Sequence, residues 1–154
     1  MNLPETKTIS TRDINFGVGV KIVQPSNLYG CKIGSHSFVG PFVEIQKGAN
    51  IGNYCKIQSH SFICDMATIG NHCFVGHGVM FINDDFKSGG PAGGDQSLWK
   101  TTEIGNQVSI GSNSTILPVK VCDGCVIGAG SVVTSDLTVK GVYAGNPARL
   151  IREL

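Results

Sequence analysis

The 154-residue chain has almost no excess charge: 12 Lys and Arg face 11 Asp and Glu, a formal net charge of +1. No basic stripe or acidic tail disturbs that balance, which excludes the electrostatic footprint of a nucleic-acid partner and a polybasic membrane signal. Long apolar runs are missing too; none approaches the ~20 residues of a membrane-spanning helix. The opening MNLPETKTISTRD lacks the charged-then-apolar order of a secretion signal. A cytoplasmic protein is expected, with no nucleic acid and no membrane among its partners. Glycine is plentiful at 21 residues. It stands among many Val and Ile, so it does not mark disorder. The length suits one domain, 1–154, with a sizeable core.

Steps of six from Ile33 meet Val39, Ile45, Ile51, Ile57, Ile63, Ile69, Val75 and Phe81, all large and apolar. Chance would produce such a series roughly once in 20,000 if a third of residues were eligible. Two residues earlier, small side chains recur: Cys31, Ser37, Val43, Ala49, Cys55, Ser61, Ala67, Cys73 and Val79. One residue later come Gly34, Gly40, Gly52, Gly70 and Gly76, placed where a corner would call for a backbone angle that only Gly adopts cheaply. A period of six belongs to neither an amphipathic helix nor a simple strand. It fits an all-β parallel β-helix in which three hexapeptides make one coil of 18 residues. The rhythm resumes at Ile104, Ile110 and Ile116, slips by one to Val121, and continues at Ile127 and Val133.

This register absorbs the cysteines. Cys31, Cys55, Cys73 and Cys125 occupy the small inward site as compact hydrophobes. Cys122-x-x-Cys125 lacks the second pair or thioredoxin-like context of a metal or redox motif, so packing explains it. At the end of the chain, Asn146 as a cap and Pro147 at a first helical position predict a short helix over about 146–154, covering an open strand edge. The residues before Phe16 fit no hexapeptide and are expected to cover the other edge.

The inward site after Phe81 should be residue 87, yet the rhythm returns only at Ile104, an insertion of 104 − 87 = 17 residues. The resulting loop, about 83–101, reads NDDFKSGGPAGGDQSLWKT and holds the single Trp. A loop of that length predicts a site wall or a clamp on a neighbouring subunit.

The repeat resembles the left-handed β-helix of the hexapeptide acyltransferases over about residues 18–145. Within it, FIND at Phe81–Asp84, the stretch LYGCKIGSHSFVGPFVEIQKGANIGNYCKIQSHSFI and the stretch VIGAGSVVTSDLTVKGVYAGNPAR resemble the N-acetyltransferases of nucleotide-linked amino sugars, especially 3-amino sugars. Many of those relatives follow F-x-N-D with Pro-Arg, where this chain has Phe86-Lys87. The resemblance implies an acetyl-CoA-dependent N-acetyltransferase acting on a UDP- or dTDP-linked amino sugar, assembled as a homotrimer. Acetyl transfer to oxygen, or to the nitrogen of another small acceptor, is the alternative.

On the same resemblance Asn83 would orient the amine or the sugar, and Asp84 would hold the sugar or the loop. His77 is the candidate general base, a role that imidazole commonly fills. His60, Glu44 and Trp99 are candidate contacts to the sugar nucleotide, and Lys120, Ala129, Lys140 and Arg149 candidate contacts to CoA. A rival pattern is zinc: His36, His72 and His77 reproduce the 36- and 5-residue spacing of the γ-class carbonic anhydrases. Its phase is wrong. In that class the first of the close pair stands in a V-G-H context; here that residue is His77, with Ile82 five later and Pro41 two coils before. No metal is expected.

Overall fold

A large aliphatic side chain every sixth residue leaves the backbone only one economical path: a short strand with the aliphatic inward, a corner, and another strand. The computed structural model describes residues 11–154, and it follows that path. Each strand pairs in parallel with the strand one coil away, as Glu44 and Ile45 do with Phe62 and Ile63. Three sheets of seven, six and eight strands result. They form the three faces of a prism, and the chain visits them in fixed order.

The first face contains Glu44–Ile45, Phe62–Ile63, Met80–Phe81, Thr115–Ile116 and Val132–Val133. The second contains Lys32–Ile33, Asn50–Ile51, Ala67–Ile69, Thr102–Ile104 and Lys120–Val121. The third contains Lys21–Ile22, Phe38–Val39, Lys56–Ile57, Phe74–Val75, Ser109–Ile110 and Val126–Ile127. Every inward aliphatic from Ile33 to Val133 is buried, as are the small residues two positions before each of the first nine. The core is therefore a continuous bore of stacked Ile and Val, each worth ~1.5–3 kcal/mol when fully buried. Among the described residues no helix is long and apolar enough to cross a membrane.

The glycine column has a different cause from the one expected. Gly34, Gly40, Gly52, Gly70 and Gly76 do not adopt positive φ. They are glycine because the next coil presses on them. A Cβ on Gly52 would lie 2.5 Å from the Gly70 carbonyl oxygen, and one on Gly70 would lie 2.6 Å from that of Gly105. The positive angles fall two residues later, at His36, Tyr54, His72 and Gln107 on one edge and Phe42, His60 and Asn113 on another. Gly52→Ala should therefore destabilise the fold by about 3 kcal/mol, the upper end of overpacking costs, because backbone and not a flexible side chain blocks the methyl. Thermal unfolding should read a drop of roughly 10 °C, and an unchanged midpoint would refute the close-approach explanation.

The edge between the second and third faces carries two ladders. Asn53 accepts from the Ser35 N–H at 2.7 Å, Asn71 from Asn53 at 2.8 Å, Asn106 from Asn71 at 2.9 Å and Asp123 from Asn106 at 2.7 Å, each through a side-chain oxygen. Each satisfies a corner N–H that the sheets leave unpaired. Beside it His36, Tyr54 and His72 stack with ring centroids 4.9 Å apart, close to the rise of one coil.

Both ends differ from expectation. At the C-terminus no helix forms: Ala148–Glu153 is a strand that turns back antiparallel on Gly141–Gly145. The turn is Asn146–Pro147, joined by a cis peptide bond and flanked by Gly145 at φ 103°, a place that suits cis-Pro in a tight turn. A strand wins over a helix because it supplies ladder partners to the last coil's open edge. At the other end the coil starts earlier than residue 18: Thr11–Arg12 pairs with Leu28–Tyr29, and Asn15–Phe16 with Lys32–Ile33. Of the residues before Phe16 expected to cover this edge, 11–15 belong to the first coil instead, and 1–10 lie outside the described residues.

Candidate functional site

The insertion leaves the prism at the edge between the first and second faces, after Phe81, and returns at Thr102. Its ends are tied by the Lys100 N–H donating to the Asn83 carbonyl at 2.8 Å. Asp84 organises the interior: one carboxylate oxygen accepts from the Phe86 N–H at 3.0 Å, the other from the Ala92 N–H at 2.7 Å. Both contacts lie within the loop. Asp85 pairs with Lys100, whose hydrogen bond and charge hold the Asp85 carboxyl below the usual range. Asp95 caps the 3-10 turn Gln96–Leu98 by accepting from Ser97 N–H at 3.0 Å and Ser97 Oγ–H at 2.6 Å. Trp99 follows, half-buried, its backbone N–H donating to the Gln96 carbonyl at 3.2 Å. The Asn83 side chain is half-buried and has no hydrogen-bond partner among the described residues.

His77 stands on a different edge, where the third face turns into the first. The register aligns Pro41, Ser59, His77, Ser112 and Ala129 in one column. Ser59 Oγ lies 2.8 Å from His77 Nδ1, and the His77 N–H donates to Ser112 Oγ at 3.2 Å. The ring is thus held from one side while its body is exposed. His60, next to Ser59, stacks on Phe42 with centroids 4.9 Å apart. Glu44 follows on the first face, accepting from Asn27 Nδ2 at 3.0 Å and Gln46 Nε2 at 2.9 Å.

The candidate residues therefore form two groups. His60, His77 and Ala129 share the third–first edge. Asn83, Asp84 and Trp99 share the first–second edge, with Lys120 just beyond it on the second face. His77 and Asn83 are 83 − 77 = 6 residues apart across one strand, up to ~20 Å of extended chain. Within one copy they stand on different edges of the prism.

The CoA candidates also separate. Lys120 is ion-paired with Glu103 at 3.3 Å, within a groove of about 650 Å³ that Met66, Thr101 and Leu137 also line. Lys140 lies against Gly124, whose added Cβ would come 2.7 Å from the lysine Cε. Arg149 pairs opposite Ala144; Ala144 in turn lies against Gly128, so Arg149 is near the Ala129 end of the His77 edge. The backbone N–H of Ala129 has no partner among the described residues.

The cysteines behave as packing. Cys31, Cys55, Cys73 and Cys125 are buried, and the Cys55 and Cys73 thiols donate to the Gly70 and Gly105 carbonyls at 3.0 and 3.1 Å. Burial pushes the Cys31 thiol up to about 11 and Cys64 up to about 12. Cys125 also rises to about 11, through burial and then its contact with Cys122, whose sulfur is 3.4 Å away. As for the zinc spacing, His36 and His72 spend their ring faces on Tyr54, on a different edge from His77.

Sequence reading missed Ser59, Ser112 and the asparagine ladder. The signal was present: Asn53 and Asn71 are one coil apart, as are Ser59 and His77, each two places after an inward aliphatic.

Comparison with known proteins gives the same architecture. Residues 30–65 match the family described as bacterial transferase hexapeptide (six repeats), and residues 101–135 match the hexapeptide repeat of succinyl-transferase. The bifunctional protein GlmU of Gloeobacter violaceus is 33% identical over 134 residues, covering 81% of this chain and 29% of its own. GlmU of Acidithiobacillus ferrooxidans is 33% identical over 159 residues, covering 91% and 32%. The chain thus spans about a third of the length of these curated relatives. Among solved structures, a hexapeptide-repeat acetyltransferase from Vibrio cholerae, complexed with acetyl coenzyme A, superposes with a TM-score of 0.69 at 25% identity. That match covers 81% of this chain and 71% of the other.

Proposed function

Because the chain belongs to the hexapeptide-repeat transferases, we propose that it moves the acetyl group of acetyl-CoA onto the amino group of a nucleotide-linked amino sugar, in a cleft shared by adjacent copies of a trimer. The observation that carries this reading is the division of the candidate residues between the two edges flanking the first face. A threefold axis in front of that face sets the loop edge of one copy beside the His77 edge of the next. Neither edge alone forms a deep pocket, and the pair makes one.

The chemistry follows from the groups on each edge. The amine attacks the thioester carbonyl; a C–N bond forms, the C–S bond breaks, and CoA leaves as its thiolate. The amine's surplus proton goes to His77 Nε2, unprotonated in the tautomer whose Nδ1–H donates to Ser59 Oγ, and then to the departing thiolate. The unpaired Ala129 N–H is available for the oxygen that gains charge. Asn83 supplies an amide with no internal partner to orient the acceptor, and Asp84 keeps the loop in shape around it. Arg149 lies at the end of the same edge, in reach of the CoA phosphates. The acetyl-CoA-bound relative from Vibrio cholerae supports the donor, and the FIND loop supports the acceptor class.

CoA release assayed against a panel of UDP- and dTDP-linked amino sugars tests the reading. Release is expected only with an amino sugar present, and sedimentation should give a mass of three subunits of 16.2 kDa. Release with no dependence on the acceptor amine, or a monomer at micromolar concentration, would overturn it.

A further inference from the structure

One stripe on the third face is unused by that reading. Lys21, Phe38, Lys56 and Phe74 are aligned coil upon coil, each directly opposite the next. At the ~4.8 Å spacing of paired strands, the two lysines leave the backbone ~10 Å apart with the Phe38 ring between them. Lysine arms are long enough to meet above that ring. Both are exposed, and neither is ion-paired among the described residues. Lys100 and Lys120, by contrast, each hold a carboxylate.

The space over Phe38 is a groove of about 550 Å³, within the range of small-molecule sites. His36 walls one end and Gln58 the other. Gln58 immediately precedes Ser59, the residue that holds His77. The groove therefore runs from a stacked aromatic edge, across two lysines with no ion pair among the described residues, to the candidate base.

We propose that this groove binds a nucleoside diphosphate, with Lys21 and Lys56 neutralising the two phosphoryl groups over Phe38. The base then lies towards His36, and whatever the diphosphate carries points past Gln58 to His77. Two separate ammonium groups match two adjacent phosphates, because each forms a charge-assisted hydrogen bond and together they cancel charge that one alone would leave. The stacked His36–Tyr54 pair at the base end favours a ligand with a flat ring over a bare anion. This deepens the reading above, on which it rests for the direction of the sugar, by naming the residues that select the activated substrate.

Calorimetric titration of the whole chain with UDP, dTDP and inorganic pyrophosphate tests it, with no acetyl transfer needed. The paired variant Lys21→Gln/Lys56→Gln should lose ~10-fold or more in affinity for the better nucleotide. The charge-matched control Lys32→Gln/Lys47→Gln, altered outside the groove, should keep it, and both variants should melt with the parent. Equal losses in the two variants, or none in the first, overturn the site; pyrophosphate binding as tightly as either nucleotide overturns the nucleoside. Nucleotide binding with no CoA release from any amino sugar would sink the acetyl-transfer reading alone.

Discussion

Replacing His77 with Ala should lower turnover by ~10²–10⁴, the usual span for losing a general base. The pH dependence of turnover should flatten with it, while the melting temperature stays put. The expected stability is unchanged because the ring is exposed and its only side-chain tie is to Ser59, a surface contact. The size of the effect follows from geometry. Ser59 Oγ lies 2.8 Å from Nδ1, and in the tautomer whose Nδ1–H donates to it, Nε2 is the proton acceptor. His77→Gln places an amide in about the same space without a basic nitrogen and should be as poor as Ala. If either variant turns over at the parental rate with the parental pH profile, the amine arrives neutral and the thiolate takes its proton unaided; His77 would then be a wall of the site and not its base.

The fold was legible in the sequence to an unusual degree, for a reason visible at Ile57 or Val75. An inward aliphatic every six residues states both the strand and the corner, and parallel stacking makes each coil repeat the last. One column is enough to fix the register of the others. What was not legible came from interactions between coils and at the ends. Glycine at 52 and 70 reads from sequence alone as a turn residue, because a turn is a local property; the pressing carbonyl one coil away is not. The tail ARLIREL offers helix formers behind an Asn-Pro cap, and local preference points to a helix. The unpaired edge of Gly141–Gly145 overrides that preference, since only a strand can fill its ladder.

The site was legible in parts. The loss of rhythm at Asn83 located the loop to within a residue or two, and the V-G-H context located His77 on an edge. Their separation was hidden by closeness in number: six residues read as neighbours until each hexapeptide is seen to cross a whole face. Asp84 shows a second limit. The sequence left its role between the sugar and the loop, and the contacts to the Phe86 and Ala92 N–H groups appear only in the folded chain. Lys21 and Lys56 show a third, because 35 residues separate two side chains that share a groove.

The separation of His77 from Asn83 also predicts rescue between two inactive proteins. Asn83→Ala alone should cost ~10² or more in turnover through lost positioning, with the fold intact. His77→Ala should be at least as poor. If each cleft takes its histidine from one copy and its asparagine from the next, unfolding and refolding the two variants together at equal amounts builds trimers in which some clefts hold both native residues. Random assembly makes that chance one half for each residue, so the mixture should recover about a quarter of parental activity, more than ten times either variant alone. A cleft lying within one copy would give no recovery, because every subunit in the mixture lacks one of the pair. The ratio of variants should matter as well: recovery should peak at equal amounts and fall symmetrically as either is made scarce. Mixing the same proteins without unfolding gives the baseline, since preformed trimers keep their defects.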